Sequence, residues 1–131
     1  MQLGRALYDR IVAQAREEAP NECCGIIATQ AGKAVAVHPA TNAAASPLRY
    51  EMDGMEQYRI QTAIEDAGHE LGAIYHSHTR TEPYPSQTDI NLAFYPEALY
   101  VIVGVAGEEP DVRAFRIVDG KVSERALEVV G

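Results

Sequence analysis

Two histidines separated by one residue, His76 and His78, begin the segment HSHTRTEPYPSQTD, which covers residues 76–89. The chain has four histidines in all, so half of them lie here. Side chains alternate along a β-strand, so two such residues on a strand point to the same face of its sheet. Imidazoles placed in this way can converge on one metal ion through their ring nitrogens. The spacing therefore makes this segment a candidate metal site.

The candidate third ligand is Asp89, which follows a turn with two prolines over residues 83–85. Two neutral imidazoles and one carboxylate leave a fourth tetrahedral position for water, as in catalytic zinc sites. A second interpretation fits the same residues, because Ser86 is a favourable N-cap and Asp89 would lie in the first turn of the capped helix. Spacing alone leaves both interpretations open. They are compatible, because a cap would fix the helix that presents the ligand.

The composition limits the classes of function. A chain of 131 residues is predicted to form a single domain over 1–131. The net charge of -8 argues against binding to nucleic acid or to an anionic membrane surface. No segment approaches the roughly 20 apolar residues of a membrane span. The adjacent Cys23 and Cys24 cannot build a disulfide framework, so we expect a cytoplasmic protein with reduced cysteines that pack as small apolar residues.

The spacing of apolar residues predicts three helices. The first is expected over roughly 3–17 and is ended by Pro20. The second is expected over roughly 54–69 and ends near Gly72. A short third helix over 86–94 would carry the candidate ligand of the proline-rich segment.

The apolar segments between the helices predict the strands of a mixed sheet. Two hairpins are expected, one closed around Gly32 and one at Asp119-Gly120, which is a favoured two-residue turn. The histidines end one strand, and a fully apolar segment indicates a strand that is buried on both faces. The predicted strands are CCGIIAT, AVAVH, RYEMD, LGAIYHSH, ALYVIVGVA, DVRAFRIV and KVSERALEVV. Helices that alternate with strands in this way predict an α/β sandwich.

With an upstream glutamate, the candidate site resembles the signature of the JAMM (MPN+, Mov34/PAD-1) metalloprotease family. H-x-H, seven residues and S-x-x-D are matched by His76, His78, Ser86 and Asp89, and Glu22 lies in NECCGI. The resemblance extends through TNAAASP, IYHSHT, YPSQTD and RIVDGKV, and it is strongest to the small bacterial branch that acts on sulfur carriers. It implies an MPN fold, in which a mixed β-sheet is flanked by helices in a cytidine-deaminase-like sandwich.

The same resemblance implies one zinc ion per chain, held by His76, His78 and Asp89. Bound zinc lowers the pKa of water to about 7 and polarises a carbonyl group. Glu22 would accept the proton of the attacking water and deliver it to the leaving amine. Ser86 would donate a hydrogen bond to the tetrahedral oxyanion. Only the NECCGI context selects Glu22 among nineteen acidic residues.

The resemblance also implies a partner, a ubiquitin-like sulfur-carrier protein with a C-terminal Gly-Gly. With a turn of only seven residues between His78 and Ser86, we expect hydrolysis of the amide after the terminal glycine, with cysteine as the first expectation for the released amine. The extended tail would add as a strand to a sheet edge. Tyr50, Tyr84 and Arg80 are expected beside the site, in contact with substrate. Exposed sheet edges often pair, so a homodimer is left open.

Three alternatives to this function are compatible with the sequence. The first is an isopeptidase that acts on another ubiquitin-like modifier. The second is a non-catalytic MPN scaffold, although such scaffolds usually lose ligands that are present here. The third is a two-histidine, one-carboxylate iron oxygenase, although such sites normally lie on a β-barrel. One residue departs from the common family pattern: Thr79 follows the second histidine where proline is frequent, as the sulfur-carrier branch tolerates.

Overall fold

The structure, a computed structural model, describes residues 1–131 and contains one eight-stranded mixed sheet with three helices. In chain order the elements are β1 (Gln2–Gly4), α1 (Arg5–Glu18), β2 (Cys24–Gln30), β3 (Lys33–Ala40), α2 (Gly54–Asp66), β4 (Glu70–His78), α3 (Gln87–Asn91), β5 (Leu99–Gly104), β6 (Asp111–Val118), β7 (Lys121–Arg125) and β8 (Glu128–Val130). The strand order is β7-β6-β5-β4-β2-β3-β1-β8. The strand with both histidines, β4, therefore lies in the interior of the sheet.

Helices cover both faces of this sheet. On one face, Ile11 and Ala15 of α1 pack with Ala73 and Tyr75 of β4. On the other face, Ile64 of α2 packs with residues of β2. Strand β4 runs parallel to β5 and antiparallel to β2, so the sheet is mixed. The predicted arrangement, a mixed sheet flanked by helices, is confirmed.

Both predicted hairpin turns form. Ala31 and Gly32 have φ values of 52° and 78°, and Asp119 and Gly120 have φ values of 51° and 76°. Positive φ at both central residues matches the twist of the flanking strands. The second hairpin is shorter than predicted, because β7 ends at Arg125. The chain then crosses to the far edge of the sheet, where β8 pairs with β1 in parallel.

Other predicted elements also differ from the structure, and the third helix ends at Asn91 instead of residue 94. The first helix begins at Arg5, because Leu3 belongs to a strand that forms only by pairing with β3 and β8. The segment RYEMD is not a strand and makes only an isolated bridge between Met52 and Asn42. The second helix ends at Asp66, where Gly68 takes a φ of 75° that continues no helix.

The edges of the sheet are β7 and β8, whereas β4, which carries both histidines, is paired on both sides. The expectation that a substrate tail adds to a sheet edge at the site is therefore wrong for this strand. A homodimer that pairs through one of these edges stays a prediction. None of the three helices combines the length and the hydropathy that a membrane-spanning helix requires.

Candidate metal centre and active site

The three predicted ligands converge in the structure. The Nε2 atoms of His76 and His78 lie 3.3 Å apart. Oδ2 of Asp89 lies 3.1 Å from Nε2 of His76 and 3.0 Å from Nε2 of His78. All three residues are buried. Neighbouring ligand atoms around a tetrahedral ion with bonds of about 2.0–2.1 Å lie about 3.3 Å apart. The three atoms therefore have the separations that such an ion requires.

Strand β4 fixes the positions of the two imidazoles. His76 and His78 share a face with Ile74, which packs in an apolar cluster with Tyr100 and Ile102. The backbone of His76 is paired on both sides, with Cys24 of β2 and with Ile102 of β5. The histidines therefore extend from a strand that cannot shift without breaking two ladders.

The first turn of α3 presents Asp89 through a capping box. Oγ of Ser86 accepts a hydrogen bond of 3.1 Å from the backbone N–H of Asp89, and the backbone N–H of Ser86 donates one of 2.9 Å to Oδ2 of Asp89. One carboxylate oxygen is thus both a capping group and the atom that faces the imidazoles. The cap predicted from the sequence is present, and the same geometry is compatible with the ligand interpretation. The hydroxyl hydrogen of Ser86 is not used by the cap, so it can donate elsewhere.

The hydrogen bonds of His78 leave a place for a cation. Its Nδ1 lies 2.9 Å from the carbonyl oxygen of Glu82, which can only accept, so Nδ1 carries the hydrogen. In the neutral ring, Nε2 then has a lone pair that faces another acceptor, Oδ2 of Asp89. Two acceptors 3.0 Å apart require a proton or a metal ion between them. Without metal, burial alone would lower the pKa of His78, but the Asp89 carboxylate raises it above its ordinary value.

The second imidazole is held by packing. Nδ1 of His76 is buried and has no hydrogen-bond partner. The ring of Tyr50 stacks on it, with centroids 4.5 Å apart and planes 20° apart. Burial lowers the pKa of His76, so the ring is neutral, as a metal ligand must be. Tyr50 was predicted to contact substrate, and the structure places it first of all against this imidazole.

Glu22 lies two residues before β2 and is only 4% exposed. Burial raises the pKa of its carboxyl group to about 7; the charge of His78 acts in the opposite direction, and the charge of Asp89 adds to the shift. The next residue, Cys23, exchanges hydrogen bonds with Ser77, which lies between the two histidines, so Glu22 lies beside the same end of β4. A general base works best with a pKa near the operating pH. The structure therefore brings all five predicted site residues together.

The two cysteines beside Glu22 take no part in this arrangement. Cys23 and Cys24 are free and fully buried, as the sequence predicted. Burial raises the pKa of each thiol to about 12. The thiolate is the nucleophilic and metal-binding form of cysteine. At neutral pH both residues therefore pack as small apolar side chains.

A cavity of about 350 Å³ adjoins the metal site. Tyr50 forms part of its wall and separates it from the imidazole of His76. Most of the wall is apolar, and it is formed by residues Arg49, Tyr50, Glu51, Met52, Gln57, Ile74, Leu92, Phe94, Tyr95 and Tyr100. Tyr84, predicted beside the site, is half-exposed and packs edge-on against Phe115. Arg80 is exposed.

Sequence reasoning missed the residues that hold the segment in front of β2. Asn42 and Ser77 are buried polar residues whose side chains bond to the backbone beside Glu22. A buried asparagine within TNAAASP was the available signal, but its partners are backbone atoms distant in sequence. Thr79 bonds to the same segment.

Comparison with known proteins agrees with the site. Residues 4–118 match the family described as prokaryotic homologs of the JAB domain. The chain is 43% identical over 127 residues to the CysO-cysteine peptidase of Mycobacterium tuberculosis, covering 95% of this chain and 87% of that protein. It is 41% identical over 106 residues to the desampylase of Haloferax volcanii, covering 76% of each. A solution structure from Desulfitobacterium hafniense has a TM-score of 0.89 at 28% identity, covering 98% of this chain and 92% of that chain.

The family match spans every candidate site residue from Glu22 to Asp89. The predicted resemblance, the predicted fold class and the prediction of an enzyme are confirmed, and the scaffold and oxygenase alternatives are not supported. The chain belongs to the prokaryotic JAB family, the JAMM-type peptidases.

Proposed function

We propose that this chain is a zinc metallopeptidase that hydrolyses the amide bond after the C-terminal glycine of a ubiquitin-like sulfur-carrier protein and releases cysteine. The observation that carries the proposal is the convergence of His76, His78 and Asp89 next to the buried Glu22. Three ligands beside a separate acid/base group are the arrangement of a metal hydrolase. The similarity to a CysO-cysteine peptidase supports this substrate class.

The donor set favours zinc. Two neutral imidazoles and one carboxylate suit a tetrahedral ion with one open position. The hydrogen bond from His78 to the Glu82 carbonyl selects the tautomer that a ligand requires, and such outer contacts are typical of zinc-binding histidines. When bound, zinc would supply a Lewis acid and would lower the pKa of a water molecule.

The residues of the chain would move the protons. With a pKa of about 7, Glu22 is partly ionised at neutral pH, so it can accept a proton from the attacking water and then release it to the leaving amine. The hydroxyl of Ser86 would donate a hydrogen bond to the developing oxyanion. The capping box holds this hydroxyl at a fixed place beside Asp89.

The substrate of this reaction would be the extended C-terminal tail of the carrier. Glycines at the end of the tail would allow its backbone to approach the site closely, because they carry no side chain. The turn of seven residues between His78 and Ser86 adds no further walls to the site. A small leaving group such as cysteine fits this arrangement. Release of cysteine would place the enzyme in cysteine biosynthesis, and a cytoplasmic location is part of the proposal.

The test is hydrolysis of a purified carrier protein that ends in Gly-Gly-Cys by the zinc-loaded chain. We expect free cysteine and a carrier shortened by one residue, measured by mass spectrometry. Glu22→Gln is the control, and we expect it to keep one zinc per chain while kcat falls by about 10²–10⁴-fold. The proposal is wrong if no carrier with a Gly-Gly-Cys end is cleaved.

A second candidate is an isopeptidase on another ubiquitin-like modifier, which the similarity to a desampylase favours. The two candidates differ in the amine that leaves. Two substrates distinguish these candidates. In one the carrier is linked through its terminal glycine to a lysine side chain, and in the other the same carrier is linked to cysteine. A higher kcat/KM for the lysine-linked conjugate would favour the isopeptidase.

A further inference from the structure

The carboxyl group of Glu22 has no hydrogen bond to another residue of the chain. Its Oε1 atom is buried and has no hydrogen-bond partner, and the residue as a whole is only 4% exposed. A buried side chain of this kind takes its position from the backbone that carries it. The residue also lies outside the regular ladder, since β2 begins at Cys24. Two backbone hydrogen bonds hold part of this segment: the N–H of Glu22 donates 2.9 Å to the carbonyl oxygen of Ser46, and the N–H of Ser77 donates 3.1 Å to that of Cys23. Side chains supply the other contacts to the backbone over residues 20–23.

One such contact comes from the side-chain amide of Asn42, a residue that is only 7% exposed. Its Nδ2 donates a hydrogen bond of 2.9 Å to the carbonyl oxygen of Glu22 and one of 3.0 Å to that of Arg49. Its Oδ1 accepts 3.0 Å bonds from the backbone N–H groups of Ala44 and Glu51. An asparagine amide has two donor hydrogens and two acceptor lone pairs, and all four are used here. The amide therefore joins the Glu22 segment to the loop over residues 44–51.

That loop also contributes to the metal site. Arg49 and Glu51 flank Tyr50, whose ring stacks on His76. Asn42 thus fixes both the backbone of Glu22 and the loop that places an aromatic ring behind a ligand.

Strand β4 holds the same segment from the other side. Ser77 lies between the two histidines and points to the opposite face of the sheet. Its Oγ accepts a 2.8 Å hydrogen bond from the backbone N–H of Cys23. Just beyond the strand, Oγ1 of Thr79 donates a 2.9 Å bond to the carbonyl oxygen of Pro20. A proline at position 79 would have no hydroxyl for this bond.

We propose that Asn42, Ser77 and Thr79 are positioning residues for Glu22: their side chains hold the backbone on both sides of a carboxyl group that lacks its own hydrogen bond. The inference rests on the proposed role of Glu22 as general base. Two of the three residues belong to the segment that carries the histidines, so movement of the ligands and of the base is coupled. A misplacement of about 1 Å is enough to cost about 10²-fold in rate.

The test uses Thr79→Val, which removes the hydroxyl and keeps the shape, and Thr79→Ser, which keeps the hydroxyl. Thr79 is half-buried, and neither change opens a large cavity. In Thr79→Val we expect kcat to fall by about tenfold, with an unchanged KM and one zinc per chain. Thr79→Ser should restore kcat. Asn42→Ala and Ser77→Ala should have larger effects on kcat.

Two further measurements separate positioning from general destabilisation. In the Glu22→Gln background, Thr79→Val should cause no additional loss of kcat, because its effect passes through the carboxylate. In the zinc-free protein, amide hydrogen exchange over residues 21–23 should accelerate in Thr79→Val and not in Thr79→Ser. This second measurement needs no substrate.

The outcomes distinguish this inference from the proposed function. If Glu22→Gln leaves hydrolysis intact, the role of Glu22 as base is wrong. If Glu22→Gln abolishes hydrolysis but Thr79→Val has normal kcat and normal exchange, only the positioning inference is overturned. Additive losses in the double variant would overturn it as well.

Discussion

His78 donates its Nδ1–H to a backbone carbonyl and turns Nε2 toward a carboxylate, whereas Nδ1 of His76 has no hydrogen-bond partner and the His76 ring stacks on Tyr50. The two ligands are thus oriented by different forces, one by a hydrogen bond and one by stacking. Burial raises the pKa of Asp89, but hydrogen bonds from the two imidazoles and from the backbone N–H of Ser86 outweigh burial. They hold the pKa well below its usual range. The carboxylate is therefore charged and can bind a cation.

Changing Asp89 to alanine distinguishes ligand from cap. We expect Asp89→Ala to lose zinc. Ser86→Ala is the matched control, because it removes the capping acceptor and leaves all three ligand atoms; it should keep zinc and cost about 1 kcal/mol of stability. Metal content by elemental analysis and denaturant unfolding provide the two measurements. Stoichiometric zinc in Asp89→Ala would show that Asp89 is only a cap.

Glu22 should make the zinc-free protein less stable as the pH rises. Its pKa is about 7 when folded and an ordinary 4.5 when unfolded. Below pH 4.5 both states are protonated, and no penalty exists. Between about pH 4.5 and 7 the unfolded state ionises first, so stability falls, and above pH 7 the full penalty is present.

We therefore expect Glu22→Gln to stabilise the zinc-free protein above pH 7 by on the order of 3 kcal/mol, and to have little effect at pH 4. Urea unfolding at several pH values measures this. Glu65→Gln, at an exposed position on α2, is the control. Equal stabilisation by Glu22→Gln at both ends of the pH range would contradict the prediction.

Among the elements, β4 is the one most tightly constrained by its neighbours. Its neighbour β2 approaches it so closely that a Cβ at Gly25 would overlap the hydroxyl and ring of Tyr75, which is fully buried. Tyr75 in turn donates its hydroxyl to Oε1 of Gln14 on α1. A glycine, a tyrosine and a glutamine thus join the central strand to the first helix, on the face opposite the metal site.

Gly25→Ala should destabilise the fold by about 2–3 kcal/mol, because a buried ring would have to move. Gly54→Ala is the matched control: nothing lies within 4 Å of a Cβ there, and the position begins α2. Thermal unfolding of both variants checks the prediction. A Gly25→Ala protein as stable as the wild type would show that Tyr75 can move away at little cost.

Elements with local signals could be predicted from the sequence, and those formed by distant pairing could not. Alternation in β4 placed His76 and His78 on one face, and the turn residues located both hairpins. Leu3 fits the apolar spacing of a helix equally well, and only pairing with strands distant in sequence makes it part of β1. The same holds at the site: spacing made His76, His78 and Asp89 candidate ligands, but Asn42 bonds to backbone atoms that no side-chain pattern marks.

The whole molecule does not depend on metal for its core. The largest cluster of buried apolar side chains lies on the α1 face, opposite the face of β4 that carries His76 and His78. A smaller cluster around Ile102 and Phe115 lies on the same face of the sheet as the metal site. Metal would therefore bind to a structure that is already formed.

Removal of zinc with a chelator should leave the far-UV circular dichroism spectrum unchanged and lower the Tm. Addition of zinc at 100 times its Kd should restore about 2.7 kcal/mol of stability. In Asp89→Ala, the Tm should not respond to zinc. A zinc-free chain without secondary structure would contradict this prediction.

The alternation of β4 has a consequence for how the chain can change in length. Tyr75 and Ser77 support one face of the sheet, and His76 and His78 supply the other. Inserting or deleting one residue within the strand would exchange the two sets, because side chains repeat every second residue. Imidazoles would then enter the apolar core, and the ligands would be lost. Single-residue insertions and deletions are therefore excluded over residues 74–78, which carry both histidines, whereas the first part of β4 already has an irregular register opposite Ile27 and Ala28.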